Sequence, residues 1–247
     1  MNLHFSELLN YFLELKDSIM DFVYPPHCLV CGRYLSEKEK DLCEGCWNSL
    51  GIIPAPFCPN CKSFFSDEKN RCLFCSTDSN LLYVRSLGIF DDFYKVLIHK
   101  FKYKGKVSLG KKLSKKLGEE IKKDKRFSSF DFLIPVPLHP ARKRERGYNQ
   151  SEIMGEVISK DLGIPFLKNE LKRIKNTKDQ TKLNDEQRRK NVKDAFKVSF
   201  PEMIKDKKII LVDDVITTGA TLDECARVLK DNGAKKIVGV TLVLAVK

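Results

Sequence analysis

Four Cys-x-x-Cys pairs, Cys28/Cys31, Cys43/Cys46, Cys58/Cys61 and Cys72/Cys75, hold eight of the nine cysteines, with spacers of eleven, eleven and ten residues. Two cysteines flanking two residues turn both sulfurs inward on one knuckle, and two knuckles complete a tetrahedral Cys₄ shell for Zn²⁺. Eight ligands make two closed zinc sites. A closed shell has no open position at which to polarise water, so the expected metals are structural, stabilising a stretch with few large apolar residues. Disulfides persist in oxidising compartments, and a thioredoxin-like redox pair would use one CxxC near a βαβ unit. Short loop closure favours sequential pairing, 28/31 with 43/46 and 58/61 with 72/75, over a cross-braced arrangement. His27 adjoins a complete sulfur set and reads as a bystander. Cys225, among Leu222, Ala226 and Leu229, reads as a small buried hydrophobe.

Charge divides the chain as sharply. Residues 28–75 balance six basic against six acidic side chains, whereas 95–126 carry +10 and 141–190 carry +6, more together than the net +12 of the whole. A polyanionic partner is expected. Glu7, Glu14, Lys16 and Asp17 interrupt the apolar N-terminus before it reaches the ~20 residues of a membrane span. The first lysine is Lys16, so a secretory start is missing and a cytoplasmic protein is expected. Three parts follow: an amphipathic helix over 1–27, a cysteine-rich zinc-binding module over 28–80, and a third domain over 81–247.

Beyond Tyr83, β-rich runs at 84–90, 132–136, 209–212 and 237–244 alternate with helical patterns at 94–102, 108–123, 149–162 and 221–231. That alternation predicts an α/β domain with an open, mostly parallel sheet, whose ligands sit at the carboxyl ends of the strands.

The segment Lys208-Ile-Ile-Leu-Val-Asp-Asp-Val-Ile-Thr-Thr-Gly-Ala-Thr221 is a buried strand emptying into a polar loop that opens a helix. Thr217, Thr218, Gly219, Ala220 and Thr221 offer successive backbone N–H groups and three hydroxyls, a nest suited to a phosphate dianion. Asp213 and Asp214 would repel that phosphate, and are placed sensibly if they accept hydrogen bonds from vicinal hydroxyls of the sugar that carries it.

This segment resembles the phosphoribosyl pyrophosphate (PRPP) motif of type I phosphoribosyltransferases. With Ile134-Pro-Val-Pro-Leu-His-Pro-Ala-Arg-Lys-Arg-Glu-Arg-Gly-Tyr-Asn-Gln150, with Leu171-Lys-Arg through Gln180, Leu183, Arg188, Asn191 and Phe196, and with the cysteines ahead, the chain is similar to the ComF family of competence proteins. The resemblance implies a type I phosphoribosyltransferase fold behind a double zinc-ribbon module, with PRPP or a ribose 5-phosphate compound bound together with Mg²⁺. It assigns Asp213 and Asp214 a catalytic place at the ribose, Thr217–Thr221 the 5′-phosphate, and Arg142, Lys143, Arg144 and Arg146, in the turn after Pro137, the pyrophosphate. Arg forks suit that task, because they grip phosphate oxygens bidentately. Lys175–Arg189 resembles the family's flexible catalytic lid. The resemblance also implies a role in uptake of single-stranded DNA during natural transformation, beside DNA-uptake or recombination proteins. The chain lacks the glutaminase domain of the amidotransferase that this family resembles.

Between Lys95 and Arg126, basic residues interleave with Phe93, Tyr94, Phe101, Tyr103 and Phe127, a mixture that holds single-stranded nucleic acid by phosphate pairing and base stacking. Lys111, Lys112, Lys115 and Lys116 are the candidate DNA-binding residues. They would equally form the solvated face of a helix whose core face is Leu109, Leu113, Leu117 and Ile121. Two alternative functions remain: an active phosphoribosyltransferase on an unidentified base or amine, and a PRPP-sensing regulatory protein.

Overall fold

The computed structural model describes residues 25–36, 39–65, 79–177 and 184–246. They fall into two compact units, residues 1–50 and 51–247. Almost all of the expected N-terminal helix, together with Cys72 and Cys75, lies outside the described residues.

In the first unit the Cys28 N–H donates to the Arg33 carbonyl at 2.7 Å, and the Gly32 N–H donates back to the Cys28 carbonyl at 3.0 Å. His27 and Tyr34 bridge across the base of this knuckle with their rings 4.5 Å apart. Helix α1 (Glu44–Asn48) starts at Cys43, whose sulfur caps it by accepting the Cys46 N–H at 3.4 Å. The described core is small: Leu42, Leu50 and the sulfurs of Cys28 and Cys43.

The second unit opens with a knuckle of the same build. Cys58 N–H donates to the Ser63 carbonyl at 2.9 Å, Lys62 N–H donates to the Cys58 carbonyl at 3.0 Å, and Phe57 bridges Phe64. Then follow β1 (Val84–Ile89), α2 (Asp92–Tyr103), α3 (Val107–Lys122), β2 (Phe132–Pro135), α4 (Pro140–Arg146), α5 (Gln150–Leu162), β3 (Leu171–Arg173), α6 (Asp185–Val192), β4 (Phe196–Val198), α7 (Pro201–Ile204), β5 (Lys208–Ile216), α8 (Ala220–Asp231) and β6 (Lys236–Leu244). The main sheet has the order β1-β6-β5-β2 with every pairing parallel.

Its central strands are apolar on both faces because both faces are covered. Ile209, Leu211 and Ile237 join Leu222, Cys225 and Leu229 of α8 in one cluster. The alternate residues, Ile210 and Val212, are equally buried beneath α3 and α5, which pack on β1, β2, β5 and β6. In α3, Leu109, Leu113, Leu117 and Ile121 recur every fourth residue and are fully buried. Gly110 is required there, since a Cβ would stand 2.2 Å from the Phe101 ring.

All four expected strands and all four helical patterns are present. Three features differ from the sequence reading. The basic turn after Pro137 is a helix: Pro140 suits its first position, the His139 side chain caps it, and Gly147 ends it at φ +85°. The expected lid includes α6, fixed by a capping box in which the Asn184 side chain accepts the Gln187 N–H and the Gln187 side chain accepts the Asn184 N–H; residues 178–183 lie outside the described part. The antiparallel pair β3–β4 was not expected, because three-residue strands carry no period long enough to read.

Candidate functional site

A cleft of about 680 Å³ opens where strands β1, β2, β5 and β6 end. Phe90, Val136, Asp213 to Val215 and Ala245, at or just beyond those carboxyl ends, line it, as an open parallel sheet dictates. Asp213 and Asp214 leave the last turns of β5 and face different partners. The Asp213 carboxylate accepts the Ser151 hydroxyl at 3.1 Å and the Asp214 N–H at 2.9 Å. Asp214 is paired with the Lys102 ammonium at 2.9 Å. Burial, and then the neighbouring Asp214 charge, push the Asp213 carboxyl up to about 7, against the pull of Lys102. Protein surrounds this carboxyl on most sides while one edge touches the cleft.

Beyond the acids, Thr217, Thr218 and Gly219 turn the chain into α8. Gly219 holds φ +81° at its N-cap, a conformation that favours glycine. Thr217 and Thr221 line the cleft, and the Ala220 N–H donates to the Thr218 hydroxyl at 3.3 Å. On the opposite wall, Asn149 ties the start of α5 to the end of β2: its side chain donates to the Val136 carbonyl at 3.0 Å and accepts the Ser151 N–H at 3.1 Å. This clamp sets the position of α4 and its cations.

The helix divides those cations by its own period. Arg142 and Arg146 line the cleft. Lys143, one step on, is pinned outside by Glu152 at 2.7 Å, and Arg144 is exposed away from the lining. Two residues that the sequence reading did not single out, Lys102 and Ser151, also line the cleft, as do Tyr103 of the basic aromatic stretch and Arg173 of the Leu171-Lys-Arg motif. Arg173 lies over the Phe196 ring with its centre 5.4 Å from the centroid, and its Nε is buried without a hydrogen-bond partner. Tyr103 is 57% exposed, with the Arg146 guanidinium 5.3 Å from its ring centroid. The i, i+4 spacing of Ile98 and Lys102 along α2 was the available signal, since both face the cleft.

Lys111, Lys112, Lys115 and Lys116 lie on α3, none of them lining the cleft; the first three are exposed, and Lys116 is 3.8 Å from Glu119. Cys225 is fully buried, and burial pushes its thiol up, consistent with a packing role.

Within the first unit, the sulfurs of Cys28, Cys31, Cys43 and Cys46 lie within 4.8 Å of one another, with Cys31 and Cys43 at 3.7 Å. The edge of a tetrahedron with Zn–S bonds of ~2.3 Å is ~3.8 Å, so this donor set fits a structural zinc. Desolvation raises the Cys28 thiol, but backbone N–H groups of Cys31, Cys43 and Val30 outweigh it and bring it down to about 6, whereas burial and hydrogen bonds from the neighbouring sulfurs push Cys46 up to about 12. Among the described residues no helix is long and apolar enough to cross a membrane.

Two family models match the chain: a double zinc ribbon domain over residues 19–76 and a phosphoribosyl transferase domain over residues 104–246. Competence protein F of Haemophilus influenzae is 30% identical over 217 residues, which cover 85% of this chain and 93% of that protein. Competence protein ComFC of Streptococcus pneumoniae is 28% identical over 87% of this chain and 99% of its own length. DNA utilization protein YhgH of Salmonella typhimurium is 26% identical, covering 86% of this chain and 94% of its own. The chain therefore belongs to the ComF family of competence proteins, with a double zinc ribbon domain ahead of a phosphoribosyl transferase domain.

Proposed function

We propose that this protein binds PRPP with Mg²⁺ in the cleft and handles single-stranded DNA during its uptake. The observation that carries the ligand is the division of the cleft: an acid pair and a Thr-Gly phosphate loop at the end of β5, and the guanidinium groups of Arg142 and Arg146 on α4. PRPP is a sugar with a monoester phosphate at one end and a diphosphate at the other. In this reading the 5′-phosphate takes the N–H groups between Thr217 and Thr221, and the ribose hydroxyls donate to Asp213 and Asp214. Arg142 and Arg146 take the diphosphate. Ser151 holds Asp213 in place, and Lys102 pairs with Asp214 at 2.9 Å. Carboxylate oxygens suit a hard cation, and Mg²⁺ would neutralise the charge gathered between them and the diphosphate.

DNA handling is supported by the relatives' printed roles in competence and DNA utilization and by the exposed lysines of α3. A transferase reading gains from one feature, the exposed Tyr103 ring beside Arg146, which offers a stacking face for an incoming base. Calorimetry with PRPP and Mg²⁺ tests the ligand: changing both Asp213 and Asp214 to Asn keeps their shape, and is expected to weaken binding at least ~30-fold, two lost charge-assisted contacts at ~1–2 kcal/mol each. Unchanged affinity would make the pair structural. For DNA, four to six phosphate contacts predict a log-log salt slope of about −3 to −4, made shallower by changing Lys111, Lys112, Lys115 and Lys116 to Gln.

A further inference from the structure

Helix α2 turns one face to the core and another to the cleft. Tyr94, Leu97 and Phe101 are buried, whereas Lys95, His99 and Tyr103, four residues apart, form an exposed stripe on the cleft lining. Of the five aromatics interleaved with the basic stretch, Tyr94, Phe101 and Phe127 are buried and Phe93 is half-buried. Tyr103 is the exposed one. It is the last residue of α2, so no further turn of that helix follows to cover its ring. A helical side chain leans toward the preceding turn, which brings the Tyr103 ring to His99, with centroids 5.3 Å apart.

A second tyrosine on the lining shows what packing would look like. Tyr148 stacks on Phe101 with centroids 6.1 Å apart, and its hydroxyl donates to the Phe101 carbonyl. Tyr103 has neither kind of anchor: it meets the His99 imidazole and the Arg146 guanidinium and stays more than half exposed. Arg146 is itself held, donating to the Gln150 side-chain oxygen at 2.7 Å. A flat ring is thus set beside an oriented guanidinium on the wall of a cleft, where core packing gives no reason for an aromatic. The groups define the ligand chemistry. A ring face takes another flat ring by offset stacking, and the imidazole and guanidinium beside it carry N–H donors for the ring nitrogens and carbonyl oxygens on the edge of a base. An aliphatic ligand would strip water from those donors and replace none of it.

We propose that Tyr103, with His99 and Arg146, forms a nucleobase subsite at the cleft. The inference rests on the nucleic-acid reading above and deepens it, because it places base stacking on α2 and leaves the lysines of α3 to pair with phosphates. Arg146 belongs to both ligands, so the subsite adjoins the position assigned to the diphosphate. A purine or pyrimidine ring has two sources, a free nucleoside and a base within a single strand.

The test uses the full chain and 2-aminopurine, a base whose emission is quenched by stacking. It is presented as the free riboside and within a short oligothymidylate, with an abasic strand of the same length as a third probe. Wild type is expected to bind and quench at least one of the base-bearing probes. Tyr103→Ala should weaken that probe about 10-fold, the loss of one base stack, and relieve the quench. Tyr103→Phe should keep both, since it keeps the ring. The abasic strand, held through phosphates, should change much less, so that the ratio of base-bearing to abasic affinity falls in Tyr103→Ala. Loss with both base probes assigns the subsite to a free base, and loss with the strand alone assigns it to DNA; either supports the inference. Equal binding of the base probes by wild type and Tyr103→Ala overturns it and leaves the nucleic-acid reading intact. An abasic strand weakened as much as the base-bearing one, or a Tyr103→Phe chain as weak as Tyr103→Ala, overturns it too. A wild-type chain that binds neither riboside nor strand overturns both.

Discussion

The two cysteine knuckles share one backbone and differ in what holds it. In the first, Leu35 N–H donates to the Pro26 carbonyl at 2.8 Å, and in the second Phe65 N–H donates to the Pro56 carbonyl at 2.9 Å. Each places an aromatic pair at its base, His27 with Tyr34 and Phe57 with Phe64. The first has little else within its own unit, where Cys28, Cys43, Leu42 and Leu50 are the buried apolar groups among the described residues. The second is strapped to a sheet: Phe57 exchanges hydrogen bonds with Val84 at 2.9 and 3.0 Å, and the Ile53 N–H donates to the Leu87 carbonyl at 2.8 Å. The difference teaches that one metal motif can serve as the core of a small unit or as an ornament on an existing core.

The largest effect that would break this comparison is metal removal. Changing Cys28 and Cys43 to Ser should abolish order in residues 28–50, because the metal site supplies most of that unit's stability, about 10–16 kcal/mol for structural zinc at neutral pH. Hydrogen exchange should show those amides unprotected, and PRPP affinity should hold. Changing Cys58 and Cys61 to Ser should leave the Phe57–Val84 pairing protected, since the sheet and the fully buried Phe57 ring hold it. Equal loss of protection in both knuckles would erase the distinction.

How much of this could be read from the residues follows from range. The sheet was legible because Ile209 to Val212 and Ile237 to Leu244 are apolar runs buried on both faces, and the helices because their stripes repeat every turn. The acid pair and the Thr-Gly loop were legible because one short segment carries the whole arrangement. The rest of the site depends on pairings across the chain. Lys102 reaches Asp214 over 112 positions, and Ser151 reaches Asp213 over 62. Which of the four cations on α4 enter the cleft is decided by helical phase, and a turn assigned to that stretch hides the phase.

A second, smaller effect separates the cleft from both knuckles through pH. With its carboxyl raised from 3.8 to about 7, Asp213 keeps a proton in the native state that the unfolded chain has already released. Stability therefore falls as pH rises across that window. Sugar hydroxyls need an ionised acceptor, so PRPP affinity should rise over the upper part of the same window. The groups facing Asp213 are Asp214 on β5, Lys102 on α2, Ser151 on α5, Arg173 on β3 and Cys225 on α8. Asp213→Asn should raise Tm by a few degrees at pH 8, where wild type bears the buried charge, and by little at pH 5, a change on the order of 1–2 kcal/mol. Thermal melts at the two pH values check it, and an equal shift at both would assign the effect to packing instead of charge.

The smallest effect is the sharpest probe of the knuckles themselves. A non-glycine residue in the left-handed region costs about 1 kcal/mol relative to glycine. Lys62 bears that cost at φ +64°, whereas Gly32 at φ +72° avoids it. Lys62→Gly removes the strain and also removes the ammonium from Phe57, a contact worth about 0.5 kcal/mol. The net change in stability should be a gain of about 0.5 kcal/mol, read as a slight rise in denaturation midpoint. The reciprocal change, Gly32→Lys, puts the same strain into the first knuckle and should cost about 1 kcal/mol. Lys62→Gly that lost stability would show that the ammonium's bond to the Pro59 carbonyl and its place over Phe57 outweigh the backbone strain.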